Sequence, residues 1–155
     1  MFMKYISTRN SDKDFSFREV FVKGLADDGG LFVPKSLKKY SSSELQQLKN
    51  LNYCELSTEI INLFSSDFIS KEELSSLIKK SYSIFREKEV VKISNIGELK
   101  LLELFHGPTL AFKDIAMQFI GNLYEYYLSK NDKKLNIVVA TSGDTGSAAI
   151  DAIKG

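Results

Sequence analysis

With 155 residues, 43% of them hydrophobic and 26% charged, the chain is long enough for a proper core and has ordinary globular composition. A net charge of +1 gives no reason to expect nucleic acid or an acidic membrane as partner, while small anions stay open because local geometry captures them. The single cysteine, Cys54, excludes an internal disulfide, and no run approaches the roughly 20 apolar residues of a membrane span.

The first 15 residues lack the apolar stretch and small-residue cleavage pattern of a signal peptide, so a soluble, cytoplasmic protein is expected. Met3–Thr8 reads as a short strand. Phe17, Val20, Phe21 and Gly24 fall at helical spacing, so a short helix follows. Asp27-Asp28-Gly29-Gly30 is a turn signal, because glycine supplies positive φ and aspartate bonds its own backbone. Leu31-Phe32-Val33 is then a brief extended piece, stopped by Pro34. The middle third is helical. Ser41 and Glu44 have capping-box spacing, and so do Ser70 and Glu73. Leu56, Ile60, Leu63 and Phe64 make one apolar face. These helices read as a packing layer, and Cys54 among them as a plain thiol.

The character changes near Val90. Two strands are expected around a turn at Asn95-Ile96-Gly97. His106-Gly107-Pro108-Thr109 is a break, and a helix is expected from about Ala111 to Ser129. Leu135–Ala140 has the continuous apolar character of a buried parallel strand. Thr141–Gly146 is a glycine loop leading into a last helix. Strand, glycine loop and helix form the βα unit of an open α/β sheet. One such unit cannot complete a parallel sheet, so the last element is not expected to be the natural end of the fold.

Two segments carry chemistry. The first runs from Glu103 to Asp114. Gly107 and Pro108 force a turn, Thr109 is a candidate N-cap, and Lys113 is expected in the first turns of the helix. There it faces the positive end of the helix dipole, with Leu110, Ala111 and Phe112 beside it. That setting favours the neutral amine that Schiff-base chemistry needs. The competing reading is a solvent-facing lysine on an amphipathic helix, the commoner case.

The second segment is Ala140–Ser147. Its two glycines allow close backbone approach, and free N–H groups at the helix start can hold an anion. Asp144 argues against a simple phosphate site, so a substrate carboxylate fits better. The alternative is a tight turn with Asp144 or Thr145 capping the helix. The spacing matches neither the P-loop nor the Rossmann glycine fingerprint. His106 is the sole histidine. It cannot supply a two-imidazole metal site, and no triad partner is evident; it either shapes the turn or contacts a ligand.

Taken together, these residues resemble the threonine synthase family. ELFHGPTLAFKDIAMQ is similar to its cofactor-lysine segment, and VATSGDTGSAAI to its next strand, substrate loop and helix. KYISTR and GLADDGGLFVP are similar to its N-terminal domain, although Asn10 stands where the family often has glycine. The resemblance implies an α/β fold of the tryptophan-synthase-β-like type, fold type II among pyridoxal-phosphate enzymes, with an N-terminal helical portion. It implies a domain over 1–89 and the start of an incomplete cofactor-binding domain over 90–155. It implies that Lys113 holds pyridoxal 5'-phosphate, and that Asp144 lies near the cofactor's 3′-oxygen, where many relatives carry asparagine. It implies that Ser142, Gly143, Thr145 and Gly146 receive the substrate carboxylate. The substrate implied is O-phosphohomoserine, converted with water to threonine and phosphate.

Family members run to several hundred residues, so this chain is expected to be an N-terminal portion with weak or no catalysis by itself. The loop that holds the cofactor phosphate is expected outside it. Two rivals remain. One is a related phospholyase that releases 2-oxobutyrate. The other is a non-catalytic anion-binding domain, in which Lys113→Ala would leave ligand binding unchanged.

Overall fold

The turn at 27–30 folds the chain back so that β1 (Tyr5–Ser7) pairs antiparallel with β2 (Phe32–Pro34), Tyr5 opposite Pro34 and Ser7 opposite Phe32. This is seen in a computed structural model that describes residues 2–131 and 134–154. Asp28 organises the turn as its sequence predicts: Oδ1 accepts from the Gly30 N–H and the Ser7 hydroxyl, each at 2.8 Å. These two bonds, the Gly30 amide first, hold its carboxyl below the usual range. Gly29 has φ 76°, the left-handed conformation that favours glycine.

The chain forms two compact units, Met1–Ser75 and Ser76–Gly155. In the first, helices α1 (Phe17–Lys23), α2 (Ser42–Leu48) and α3 (Tyr53–Ser65) each start with a reciprocal capping box. The pairs are Ser16 with Glu19, Ser41 with Glu44, and Asn52 with Glu55. Ser70 and Glu73 do the same for α4 (Lys71–Tyr82). Each box satisfies helix-start N–H groups that would otherwise lack partners. Phe17, Phe21 and Phe68 cluster with ring centroids 5.7–5.9 Å apart. Tyr5 lies beside them, buried, its hydroxyl donating to the Phe64 carbonyl at 2.8 Å. Burial, with the Asp67 carboxylate as a second cause, pushes the Tyr5 phenol up to about 12.

In the second unit, β3 (Lys92–Ile96) and β4 (Leu99–Glu103) form an antiparallel hairpin in which Lys92 faces Glu103 and Ile96 faces Leu99. The turn is Gly97-Glu98, with Gly97 at φ 61°. Asn95 and Ile96, expected in the turn, are instead paired strand residues. Helices α5 (Asp114–Asn131) and α6 (Asp144–Ile153) pack on one another. Gly121 of α5 makes the close approach possible: a Cβ there would lie 2.6 Å from the Ala152 carbonyl oxygen of α6. Gln118 Nε2 donates to Asp151 Oδ2 across the same seam at 2.8 Å. Leu123 of α5 and Ala148 of α6 are fully buried.

Two expectations are corrected here. Residues 134–140 are not a buried strand: Val138 is 94% exposed, and Leu135, Ile137 and Val139 are exposed with it. An extended segment becomes a buried parallel strand only when neighbours take its backbone N–H and C=O groups. Among the described residues the strands form only the two antiparallel pairs, and none lies beside 134–140. The second correction is the start of α5, three residues later than the apolar pattern suggests, because residues 107–113 are spent on a chain of turns. Among the described residues no helix is long and apolar enough to cross a membrane.

Candidate active site

The segment before α5 is built from turns that overlap. Leu110 N–H bonds the Gly107 carbonyl, Asp114 N–H bonds Ala111, and Ile115 N–H bonds Phe112. Leu110 sits at φ 66°, a left-handed conformation that a branched aliphatic residue adopts only when its surroundings enforce it. The Lys113 carbonyl accepts the first α-helical bond, from Met117 N–H at 2.9 Å. Lys113 is therefore the residue that opens the helix and not a member of its first turn. Thr109, expected as the N-cap, is not one. Its N–H and its hydroxyl both donate to Asp114, at 2.8 and 2.7 Å.

Lys113 is half-buried, and its Nζ lies 4.7 Å from the centroid of the Phe112 ring. No carboxylate among the described residues forms an ion pair with it. Most other contacts of its segment are fixed. Asp114 is fully buried, and a Cβ on Gly107 would overlap its side chain. The His106 carbonyl accepts from Arg86 N–H at 2.9 Å.

His106 and Glu103 form a second fixed pair. His106 Nε2 lies 2.8 Å from Glu103 Oε2, with 12% and 14% of the two side chains exposed. The Ser94 hydroxyl donates to the same carboxylate. Ser94 first, and His106 after it, hold the Glu103 carboxyl below its usual range. An ionised carboxylate only accepts, so the His106 Nε2 carries the proton in this pair.

The second segment opens α6. Its N-cap is Gly143, at φ 142°, and no side chain at that position caps the helix; neither Asp144 nor Thr145 does so. The cap comes from Thr141, whose Oγ1 accepts from Gly143 N–H at 3.1 Å and Gly146 N–H at 3.0 Å. Gly146 is buried against that hydroxyl, whereas Ser142, Gly143 and Asp144 are exposed and Thr145 is half-buried. The N–H groups of Asp144 and Thr145 make no hydrogen bond among the described residues, so they face outward at the positive end of the helix.

The structure thus places Lys113 at the head of α5 and Ser142, Gly143, Asp144, Thr145 and Gly146 at the head of α6. No hydrogen bond or ion pair among the described residues links the two groups. Asp114 and Thr141, which shape the two segments, were missed in the sequence. Their signals were an acid at a helix start, five residues after a threonine, and a hydroxyl two residues before a glycine N-cap.

The family model "Threonine synthase N terminus" matches residues 4–82. Threonine synthase of Schizosaccharomyces pombe is 44% identical over 163 residues, covering 99% of this chain and 32% of that protein. Among solved structures, a PLP-bound threonine synthase from Brucella melitensis matches with a TM-score of 0.92 at 36% identity, over 99% of this chain and 33% of its own. Threonine synthase from yeast matches with a TM-score of 0.90 at 43% identity, over 98% of this chain and 33% of its own. The chain, α/β with six helices among the described residues, takes the N-terminal part of the fold of those structures. It spans about a third of the length of the curated relatives it matches.

Proposed function

This chain belongs to the threonine synthase family, and we propose that it is the lysine-bearing part of an enzyme that converts O-phosphohomoserine and water to L-threonine and phosphate. The observation that carries the proposal is Lys113: a half-buried amine at the head of α5, free of any ion pair among the described residues, on a turn whose backbone is held in a strained conformation. An amine locked to a carboxylate would be a poor partner for an aldehyde. This one fits the aldehyde carbon of pyridoxal phosphate.

When bound, the cofactor supplies an electron sink for carbanions at the substrate's α and β carbons. With the cofactor bound, the Lys113 amine would be the group placed to carry protons at Cα and Cβ of the substrate. The outward N–H groups at the head of α6, with the hydroxyls of Ser142 and Thr145, hold the substrate carboxylate, and Gly143 and Gly146 keep the approach open. Asp144, exposed at the head of α6, would be the residue nearest the cofactor's 3′-oxygen. Atoms balance when phosphate leaves Cγ, the hydroxyl of water is added at Cβ, and Cγ gains a proton to become the methyl group. The same reading takes residues 1–89 as one domain and 90–155 as the start of a cofactor domain of fold type II, in a cytoplasmic enzyme.

The test adds pyridoxal phosphate to the full-length protein, fixes any lysine adduct with borohydride, and maps it by mass spectrometry. Label on Lys113, with threonine and phosphate formed from O-phosphohomoserine, supports the proposal. Label with 2-oxobutyrate as product assigns a phospholyase instead. No label on Lys113 removes the enzyme reading.

A further inference from the structure

The described helices do not all start alike, and the Thr141 hydroxyl at the head of α6 is one departure from the common pattern. Helices α1 to α4 each use a reciprocal box whose bonds are exposed and serve the helix's own first turn. Helix α5 is different. Its first residue, Asp114, is 0% exposed, and its carboxylate turns away from the helix to hold Thr109, five residues back. Burying a carboxylate costs desolvation, which is offset here by two charge-assisted hydrogen bonds and by the positive end of the helix. A cap alone needs no such burial, as the four boxes show. What the bonds to Thr109 do is close a loop over residues 109–114. That loop contains both the left-handed Leu110 and Lys113. Gly107 is required beneath the clamp, since a Cβ there would occupy the Asp114 side chain's place.

We propose that the Asp114–Thr109 clamp is a positioning device for Lys113, fixing where its amine meets the cofactor aldehyde. Asp114 acts through the backbone of the turn and touches no reacting atom. The inference rests on Lys113 being the cofactor lysine. Asparagine at 114 preserves the clamp, because its carbonyl accepts the Thr109 N–H and its amide donates to the Thr109 hydroxyl oxygen. Alanine abolishes it. Thr109→Val keeps the backbone arm and removes the hydroxyl arm.

The experiment uses the full-length protein, pyridoxal phosphate and borohydride. The readout is the share of fixed label on Lys113 relative to all other lysines, measured below each variant's unfolding transition. Misplacing a reacting group by about an ångström costs around a hundredfold, so Asp114→Ala should lower that share by tenfold or more. Thr109→Val should lower it by about threefold, as expected for one lost hydrogen bond. Asp114→Asn should leave the share close to that of the unaltered protein. Leu123→Ala, a core substitution within α5 that leaves the clamp alone, should lower stability and not the share. If Asp114→Ala fails to fold, Thr109→Val and Asp114→Asn still decide. An unchanged share in Asp114→Ala or Thr109→Val, or an equal fall in Leu123→Ala, overturns the inference while the Lys113 assignment stands. Absence of label on Lys113 in the unaltered protein overturns both.

Discussion

Gly121→Ala puts two effects of opposite sign at one position. In a helix interior, alanine is better than glycine by about 1 kcal/mol, so a site with room would be stabilised. Here the new Cβ would lie 2.6 Å from the Ala152 carbonyl oxygen and 3.1 Å from its carbonyl carbon and Cβ. The nearest atom is backbone of α6, which cannot rotate aside as a long side chain can. The helices must part instead, stretching the Gln118–Asp151 hydrogen bond in the same seam. Overpacking of this kind costs ~1–3 kcal/mol, and the upper end applies where backbone must move. The clash therefore exceeds the propensity gain, leaving a net loss of ~1–2 kcal/mol. Urea unfolding reads it as a midpoint lowered by about 0.5–1 M at unchanged slope, for a slope near 2 kcal/mol/M. A midpoint equal to or above that of the unaltered chain would refute the reasoning, since it would mean the seam has room for a methyl group.

Three further outcomes are expected. Gly143→Ala meets no atom within 4 Å, yet φ 142° is closed to alanine, so it should cost ~1–3 kcal/mol and fray the start of α6; unchanged amide-exchange protection there would contradict this. The Tyr5 phenol is raised to about 12 from 10.0, so its contribution is complete below pH 10 and is lost as pH climbs from 10 to 12. Tyr5→Phe should remove that alkaline loss and cost ~1 kcal/mol at neutral pH, read by urea unfolding at both pH values; an unchanged alkaline slope argues against it. Glu44 is held at about 2 by Lys38 first and Ser41 next, so its support of α2 is present above pH 4.5 and fades as pH falls toward 2. A carboxyl NMR titration with a midpoint at or above 4 in low salt would rule out the Lys38 pairing.

Local rules in the sequence carried most of the first unit. Ser41 with Glu44 and Ser70 with Glu73 were legible because a capping box is complete within four residues. The Asp28 turn was legible for the same reason. Ser16 with Glu19 and Asn52 with Glu55 obey the same rule but were not expected, because the apolar spacing that marks those two helices begins only at Phe17 and Leu56. The second unit depended on information that is not local. Leu135–Ala140 has strand composition, but strand formation needs a neighbour, and periodicity cannot supply one. The apolar run Leu110-Ala111-Phe112 extends the helical pattern backward, while the backbone there is committed to turns by Asp114. Lys113 was expected within the first turns of its helix and stands just before it, and the loop expected over 141–146 gives way to α6 already at Asp144. What held them there, a buried carboxylate reaching back five residues and the Thr141 hydroxyl, depends on three-dimensional closure that spacing alone does not reveal.

The extended run at 134–140 also bears on association between copies of this chain. Its apolar side chains, and amides that make no hydrogen bond among the described residues, together form a template onto which another copy's strand can add. Turbidity should therefore rise with protein concentration, and warming should worsen it. A lysine at Val138 would break the template without touching either helix head, which makes Val138→Lys a practical handle for anyone preparing the chain at high concentration.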